Sequence, residues 1–90
     1  MSVPSRIPTD CLVGEIEKNQ RETVRVQLRE YQQHELVDIR VFAASGDKGT
    51  VPTGKGVSLS VQKLGDLISL LQQARTEAEM RGILEPGEAA

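Results

Sequence analysis

The chain has 90 residues, of which 38% are hydrophobic and 27% are charged, and this composition is typical of a single folded domain. The single cysteine excludes an internal disulfide, and one cysteine with one histidine cannot complete a tetrahedral zinc site. The net charge of −2 and the scarcity of aromatic residues argue, on their own, against a nucleic-acid-binding domain, which is usually basic.

The two ends of the chain differ in composition from its middle. Residues 1–10 combine prolines with hydroxyl side chains, which predicts a mobile leader, and they lack the apolar run of a signal peptide. Residues 85–90 are predicted to form an acidic tail, so the ordered domain is expected to cover 11–84. No segment approaches the roughly 18 apolar residues of a membrane helix, and the lone Cys11 favours a reducing cytoplasm.

Alternating apolar and polar residues predict three strands in the first half of the ordered domain. They cover 12–17, 23–29 with its continuation to Tyr31, and 35–42. The short connection at 32–34 is typical of a β-hairpin. A polar, glycine-rich loop over 44–56 is expected next, and a short fourth strand at 57–59.

The hydrophobic period then changes to about 3.6 residues, which predicts one helix of about 20 residues. Ser60 is a suitable N-cap and Gly82 a suitable residue just beyond the C-terminus. Four strands followed by one helix predict an α+β fold with an antiparallel sheet. The apolar stripe of the helix is wide, with Leu70 and Ala78 beside its main members Val61, Leu64, Leu67, Ile68, Leu71 and Ala74.

This stripe has two interpretations. It packs on the sheet of the same chain, or part of it packs on a second subunit. Because so short a chain builds only a small core, oligomerisation is the leading way to supplement its stability.

Signals of enzymatic chemistry are weak. His34 has no nucleophile partner evident in the sequence, and Asp38 with Arg40 is expected to be a surface ion pair. The Gly54–Gly56 segment lacks the spacing of a phosphate-binding P-loop. The sequence therefore predicts a protein without catalysis, cofactor or metal.

The charges are unevenly distributed along the chain. Residues 18–63 carry a net charge of +3, whereas the remainder carries −5. Arg25, Arg29 and Tyr31 share one face of the second strand, and arginine forks with an aromatic ring suit the phosphates and bases of a single-stranded nucleic acid. The alternative is an ordinary solvated face.

Two pieces of the sequence resemble a known family. Val37-Asp-Ile-Arg40 followed by Phe42, and Gly54-Lys-Gly-Val-Ser-Leu59 followed by the predicted helix, are similar to the DNA-binding domain of the transcriptional coactivator positive cofactor four. The similarity runs without gaps from about Val24 to Leu59 and continues more loosely through the helix. Each piece alone is weak, but the two pieces at this separation make the resemblance fairly specific.

The resemblance implies a homodimer whose subunits each have a curved four-stranded antiparallel sheet and a long C-terminal helix, with the helices forming much of the interface. It also implies binding of single-stranded or unpaired DNA with little sequence preference. In the family pattern Tyr31 is a base-stacking aromatic, and Arg29, Arg40 and Lys55 occupy basic positions. Ala43 stands where the family often has a tryptophan.

These observations predict a non-catalytic, coactivator-like or regulatory protein that binds single-stranded DNA through a basic sheet face; in a bacterium it would be associated with the nucleoid. Two alternatives stay open: a homodimeric protein-interaction module with weak or no nucleic-acid binding, and an RNA-binding protein. RNA and the transcription machinery are further candidate partners. The predicted phosphate contacts are Arg25, Arg29, Arg40, Lys48 and Lys55, with Tyr31 stacking on a base and Phe42 serving as a second platform or as core.

Overall fold

The structure is a computed structural model that describes residues 11–85. One antiparallel sheet with the strand order β1-β2-β3-β4 is followed by a single helix, α1, which confirms the predicted α+β class. The predicted leader, and the predicted tail apart from Glu85, lie outside the described residues. The elements are β1 (Cys11–Glu17), β2 (Glu22–Tyr31), β3 (His34–Ala44), β4 (Thr50–Ser60) and α1 (Leu64–Met80), with short 3₁₀ turns at Gly46–Lys48 and Val61–Lys63.

The fourth strand is much longer than predicted. It begins at Thr50, so most of the expected loop over 44–56 is strand. This part of the strand was not predicted because it contains Pro52 and two glycines, and both residue types are depleted in central strands. Among the described strands β4 pairs with β3 alone, so it is an edge strand, and an edge tolerates proline.

A bulge interrupts β4 halfway along its length. Arg40 pairs with Gly56 and Phe42 pairs with Pro52, so that three residues of β4 lie opposite the single residue Val41 of β3. We call residues 53–55 the β4 bulge. The extra residues bend the edge strand and present Lys55, which is exposed, to solvent.

The register divides the sheet into two faces. Val24 and Val26 of β2 pair with Val41 and Ile39 of β3 on an apolar face. The opposite surface, which we call the polar face, is formed in β2 and β3 by Thr23, Arg25, Gln27, Arg29 and Tyr31 and by His34, Leu36, Asp38, Arg40 and Phe42. Among residues 11–85, only Val37, Phe42 and Asp38 are buried, so the core of one chain is small.

Gly82 ends the helix as predicted, whereas Ser60 caps the 3₁₀ turn before α1 rather than α1 itself, whose N-cap position is Lys63. The Ser60 hydroxyl accepts the Gln62 N–H at 3.2 Å and so starts the 3₁₀ turn that leads into α1. At the other end Gly82 has a φ of 73°, and the Ile83 N–H donates to the Ala78 carbonyl at 2.9 Å. This is the hydrogen bond of a Schellman motif, for which glycine is the favoured residue.

The apolar stripe of α1 is largely uncovered. Ile68, Leu70 and Leu71 are 50%, 61% and 57% exposed, and no residue of α1 is buried. Packing on the sheet of the same chain therefore does not account for the stripe. Within the described part of the chain, no helix is long and apolar enough to cross a membrane.

Candidate nucleic-acid interface

Tyr31 stands at the tip of the hairpin between β2 and β3. It pairs with His34 across a turn of two residues, Gln32 and Gln33, whose φ angles of 50° and 69° are those of a type I′ turn. The Glu30 carboxylate accepts the Gln33 N–H at 2.8 Å and holds this turn. With 63% of its surface exposed, the Tyr31 ring is accessible to a nucleobase.

Arg29 lies two residues before Tyr31 on the same polar face, and it is exposed. A rise of about 3.4 Å per residue places two such neighbours roughly 7 Å apart along the strand. This separation suits a phosphate on one side chain and the adjacent base on the other.

Arg25 connects all four strands. Its Nε donates to the Glu15 carboxylate of β1 at 2.9 Å, and one terminal nitrogen donates to the Thr50 hydroxyl of β4 at 3.0 Å. The guanidinium also lies over the Phe42 ring of β3, 4.4 Å from its centroid, in a cation–π contact. Within residues 11–85 the second terminal nitrogen of the guanidinium makes no hydrogen bond and can donate to a phosphate.

Phe42 is placed as core. It is 9% exposed, and the Arg25 guanidinium occupies one face of its ring. A base would have to displace Arg25 to stack there. In this arrangement Phe42 supports an arginine on the polar face, which agrees with the core interpretation of this residue.

Asp38 and Arg40 form a pair that is far less exposed than the sequence suggests. The Asp38 carboxylate is 1% exposed and accepts two hydrogen bonds from the Arg40 guanidinium, at 3.1 and 3.0 Å. The Ser58 hydroxyl of β4 donates a third bond at 2.5 Å. The expectation of a surface ion pair was wrong, because the flanking strands cover the carboxylate.

The electrostatics of this pair follow from its partners. Burial alone raises the pKa of Asp38, but the hydrogen bonds from Arg40 and Ser58 and the positive charge of Arg40 outweigh it, so the pKa lies below its ordinary value. The hydrogen bonds that Arg40 donates to Asp38, and the Asp38 charge, raise the pKa of Arg40. Both groups are therefore charged at neutral pH.

The two predicted lysines lie away from the centre of the polar face. Lys48 is exposed in the 3₁₀ turn between β3 and β4, at the end of the sheet opposite Tyr31. Lys55 lies in the β4 bulge, and its charge contributes to lowering the pKa of Glu22, after the larger effect of the hydrogen bond from Asn19. By register Glu22 belongs to the apolar side of the sheet, so Lys55 acts at the edge rather than among the arginines.

The register thus brings together five of the seven predicted site residues, Arg25, Arg29, Tyr31, Arg40 and Phe42, and leaves the two lysines at the margins. Two residues that hold the arginines were missed from the sequence: Glu15 binds Arg25, and the Thr53 carbonyl accepts a hydrogen bond from the Arg40 terminal nitrogen Nη1 at 3.0 Å. The role of Glu15 could have been predicted from the alternation of β1. The role of Thr53 depends on the β4 bulge, which no local sequence pattern predicts. Within residues 11–85, no cluster of three or more histidine, cysteine or acidic residues could hold a metal ion.

Two solved structures have the same fold. A PC4 homologue from Burkholderia pseudomallei, in its orthorhombic crystal form, superposes with a TM-score of 0.69 at 25% identity, covering 79% of this chain and 96% of that one. A bacteriophage T5 homologue of the eukaryotic transcription coactivator PC4, implicated in recombination-dependent DNA replication, superposes with a TM-score of 0.65 at 21% identity, covering 78% of this chain and 81% of that one.

No curated protein sequence matches the chain. The family described as Transcriptional Coactivator p15 (PC4) matches residues 18–70, which span well over half of the chain and contain β2, β3, β4 and the first part of α1. This range includes the Val37–Arg40 and Gly54–Leu59 pieces and every predicted contact residue. The chain therefore belongs to the PC4 family of transcriptional coactivators.

Proposed function

We propose that this protein binds single-stranded or unpaired DNA as a homodimer, with little sequence preference and without catalysis, as a coactivator-like regulator in the cytoplasm. The observation that carries the proposal is the pairing of an exposed aromatic ring, Tyr31, with the exposed Arg29 on one sheet face of a PC4-family chain. Stacking on an aromatic ring does not depend on base identity, which suits low sequence preference.

The other two arginines of the face contribute less directly. Arg25 and Arg40 each hold a carboxylate, so their charges are partly neutralised within the protein. Arg40 donates hydrogen bonds from Nε and both terminal nitrogens. Arg25 donates from Nε and one terminal nitrogen, and its other terminal nitrogen can contact a phosphate. We assign Arg29 and Tyr31 the main contacts, because both are exposed on the polar face, and Arg25, Lys48 and Lys55 weaker phosphate contacts.

Self-association is proposed from the helix. A monomer would expose Ile68, Leu70 and Leu71 on one helix, and soluble monomers rarely leave large contiguous apolar patches in water. A second copy supplies the same stripe, so the surface can be self-complementary about a two-fold axis. The dimer would present the basic sheet region twice.

Fluorescence anisotropy with a labelled oligonucleotide of about 20 nucleotides tests the DNA-binding proposal. We expect tighter binding to the single strand than to its duplex. For each phosphate that the protein neutralises, the logarithm of the binding constant should fall by about 0.7 for every tenfold rise in salt concentration. Tyr31→Ala should weaken binding by about five- to 150-fold for each subunit whose ring stacks on a base, since one base–aromatic stack contributes roughly 1–3 kcal/mol.

Tyr31→Phe is the matched control, because it keeps the ring and removes only the hydroxyl, and it should bind as tightly as the unchanged protein. Equal affinity for single strand and duplex would contradict the proposal. So would binding that is insensitive to Tyr31→Ala combined with Arg29→Ala.

A protein-interaction module is the second candidate, and the engagement of Arg25 and Arg40 with carboxylates favours it. A dimer in ultracentrifugation that does not shift any oligonucleotide would support this candidate. Competition between RNA and DNA oligomers of one sequence tests the remaining alternative, because an RNA reader would prefer the strand with 2′-hydroxyl groups.

A further inference from the structure

The β4 bulge takes backbone groups out of the regular ladder, and side chains satisfy three of them. The Thr53 hydroxyl donates to the Val41 carbonyl at 2.8 Å and accepts the Lys55 N–H at 3.1 Å. The Arg40 terminal nitrogen Nη1 donates to the Thr53 carbonyl at 3.0 Å. The conformation in which Lys55 is presented therefore depends on the side chains of Arg40 and Thr53.

Asp38 in turn fixes Arg40. Its two oxygens hold Nε and the other terminal nitrogen, Nη2, of the guanidinium, so the planar group has one orientation and Nη1 points at the bulge. The carboxylate is itself held in place, because it is 1% exposed and has little room to move. A continuous series of hydrogen bonds leads from Asp38 through Arg40 and Thr53 to Lys55.

We infer that Asp38 is a positioning residue for DNA binding, which acts through Arg40 and Thr53 to hold Lys55 at the edge of the sheet. The inference rests on the proposed function, in which Lys55 contacts a phosphate. Asp38 itself is buried and negatively charged and does not touch the nucleic acid.

The sign of the effect separates positioning from simple electrostatics. Asp38→Asn removes a negative charge from the basic sheet region and changes the net charge of the chain from −2 to −1. If Asp38 acted on DNA only through its charge, this substitution would strengthen binding. Positioning predicts that binding weakens. Without the Asp38 carboxylate the Arg40 guanidinium is no longer held in one orientation, and its hydrogen bond to the β4 bulge is weakened.

A double-mutant cycle between Asp38→Asn and Lys55→Ala tests the inference, with single-strand affinity as the measured quantity. Asp38→Asn should lower affinity by about threefold or more, and Lys55→Ala should have a smaller effect in that background than in the unchanged protein. The two residues make no direct contact in the hydrogen-bond series, so additive effects would overturn the inference.

Two further variants distinguish positioning from general stability. Thr53→Val removes both hydroxyl bonds of the bulge and should reproduce the loss caused by Asp38→Asn. Ser58→Ala removes a bond of the same Asp38 carboxylate but leaves the series to Lys55 intact, so its affinity should stay within about twofold of the unchanged protein. An equal loss in Ser58→Ala would overturn the inference.

Limited trypsin digestion supplies a readout that needs no DNA. Cleavage after Lys55 requires local opening of the β4 bulge, and it should be faster in Asp38→Asn and Thr53→Val but not in Ser58→Ala. Unchanged cleavage in all three would overturn the inference. If the unchanged protein binds no DNA, the proposed function fails; if it binds and the effects are additive, only the inference fails.

Discussion

At the scale of single residues, the charged side chains of the polar face have two separate roles. Arg25 and Arg40 hold strands and a bulge together through carboxylates, whereas Arg29 and Lys55 are exposed to solvent. Sequence alone shows four basic residues of the same kind. Their division depends on position: Arg25 and Arg40 pair with each other across β2 and β3, whereas Arg29 lies towards the hairpin end of β2 and Lys55 lies in the β4 bulge.

The low pKa of Asp38 leads to a prediction for acid stability. The folded protein binds the Asp38 proton more weakly than the unfolded chain, so this group stabilises the fold above the unfolded pKa of about 3.9 and loses that contribution as the pH falls through the folded value. The urea midpoint should therefore decrease in acid more steeply for the unchanged protein than for Asp38→Asn. Parallel curves between about pH 6 and pH 2.5 would contradict this assignment.

From the sequence, only those features of the site that follow from the alternation of side chains along a strand could be predicted. Alternation placed Arg25, Arg29 and Tyr31 on one face, and the register agrees. The sequence left Phe42 as platform or core and could not show that Arg25 would cover its ring. Burial of Asp38 was missed for the same reason, because it comes from the neighbouring strands rather than from the residue's own strand.

At the scale of elements, β4 shows how one close contact shapes an edge strand. A Cβ atom at Gly56 would lie 2.5 Å from the Ile39 carbonyl oxygen and 2.8 Å from the Arg40 Cα. The backbones of β3 and β4 therefore approach each other more closely here than any side chain allows. Gly54, two residues earlier in the bulge, has open space around its own Cβ position.

This difference predicts unequal effects of two alanine substitutions. Gly56→Ala should lower the free energy of unfolding by about 1–3 kcal/mol, because backbone atoms must shift to admit the methyl group. Gly54→Ala is the matched control and should change it by less than about 0.5 kcal/mol. Urea denaturation measures both, and equal effects would contradict the close approach.

The elements with a clear period were predicted well, and the element without one was not. β2, β3 and α1 match the patterns of their apolar residues, and Ser60 and Gly82 mark the ends of the helical segment as expected. β4 contains Pro52, Gly54 and Gly56, and its local sequence is therefore typical of a loop. Its strand conformation is imposed by pairing with β3, a contact between distant parts of the chain.

At the scale of the whole molecule, the fully buried side chains are few and the helix stripe is open. Both features have the same physical reason. The chain has one sheet and one helix, and because the helix lies apart from the sheet, the two elements cannot enclose a core. The proposed dimer would cover the stripe and complete the hydrophobic interior.

Leu71→Lys tests this proposal. Leu71 is 57% exposed in the chain, so lysine there should leave the fold of one subunit intact but place two charges in a symmetric interface. We expect a monomer by analytical ultracentrifugation. Gln73→Lys, about 200° around the helix, is the control and should remain a dimer; a dimer in both variants would contradict the helix interface.

The two bulges of the sheet have one more consequence. An open sheet has unpaired backbone groups along both outer strands, and identical chains can add there without limit to form fibres. Here both outer strands are irregular, β1 between Leu12 and Gly14 and β4 at residues 53–55. Straight strands of another copy cannot continue past such breaks. The irregularity that presents Lys55 thus also protects the protein from aggregation.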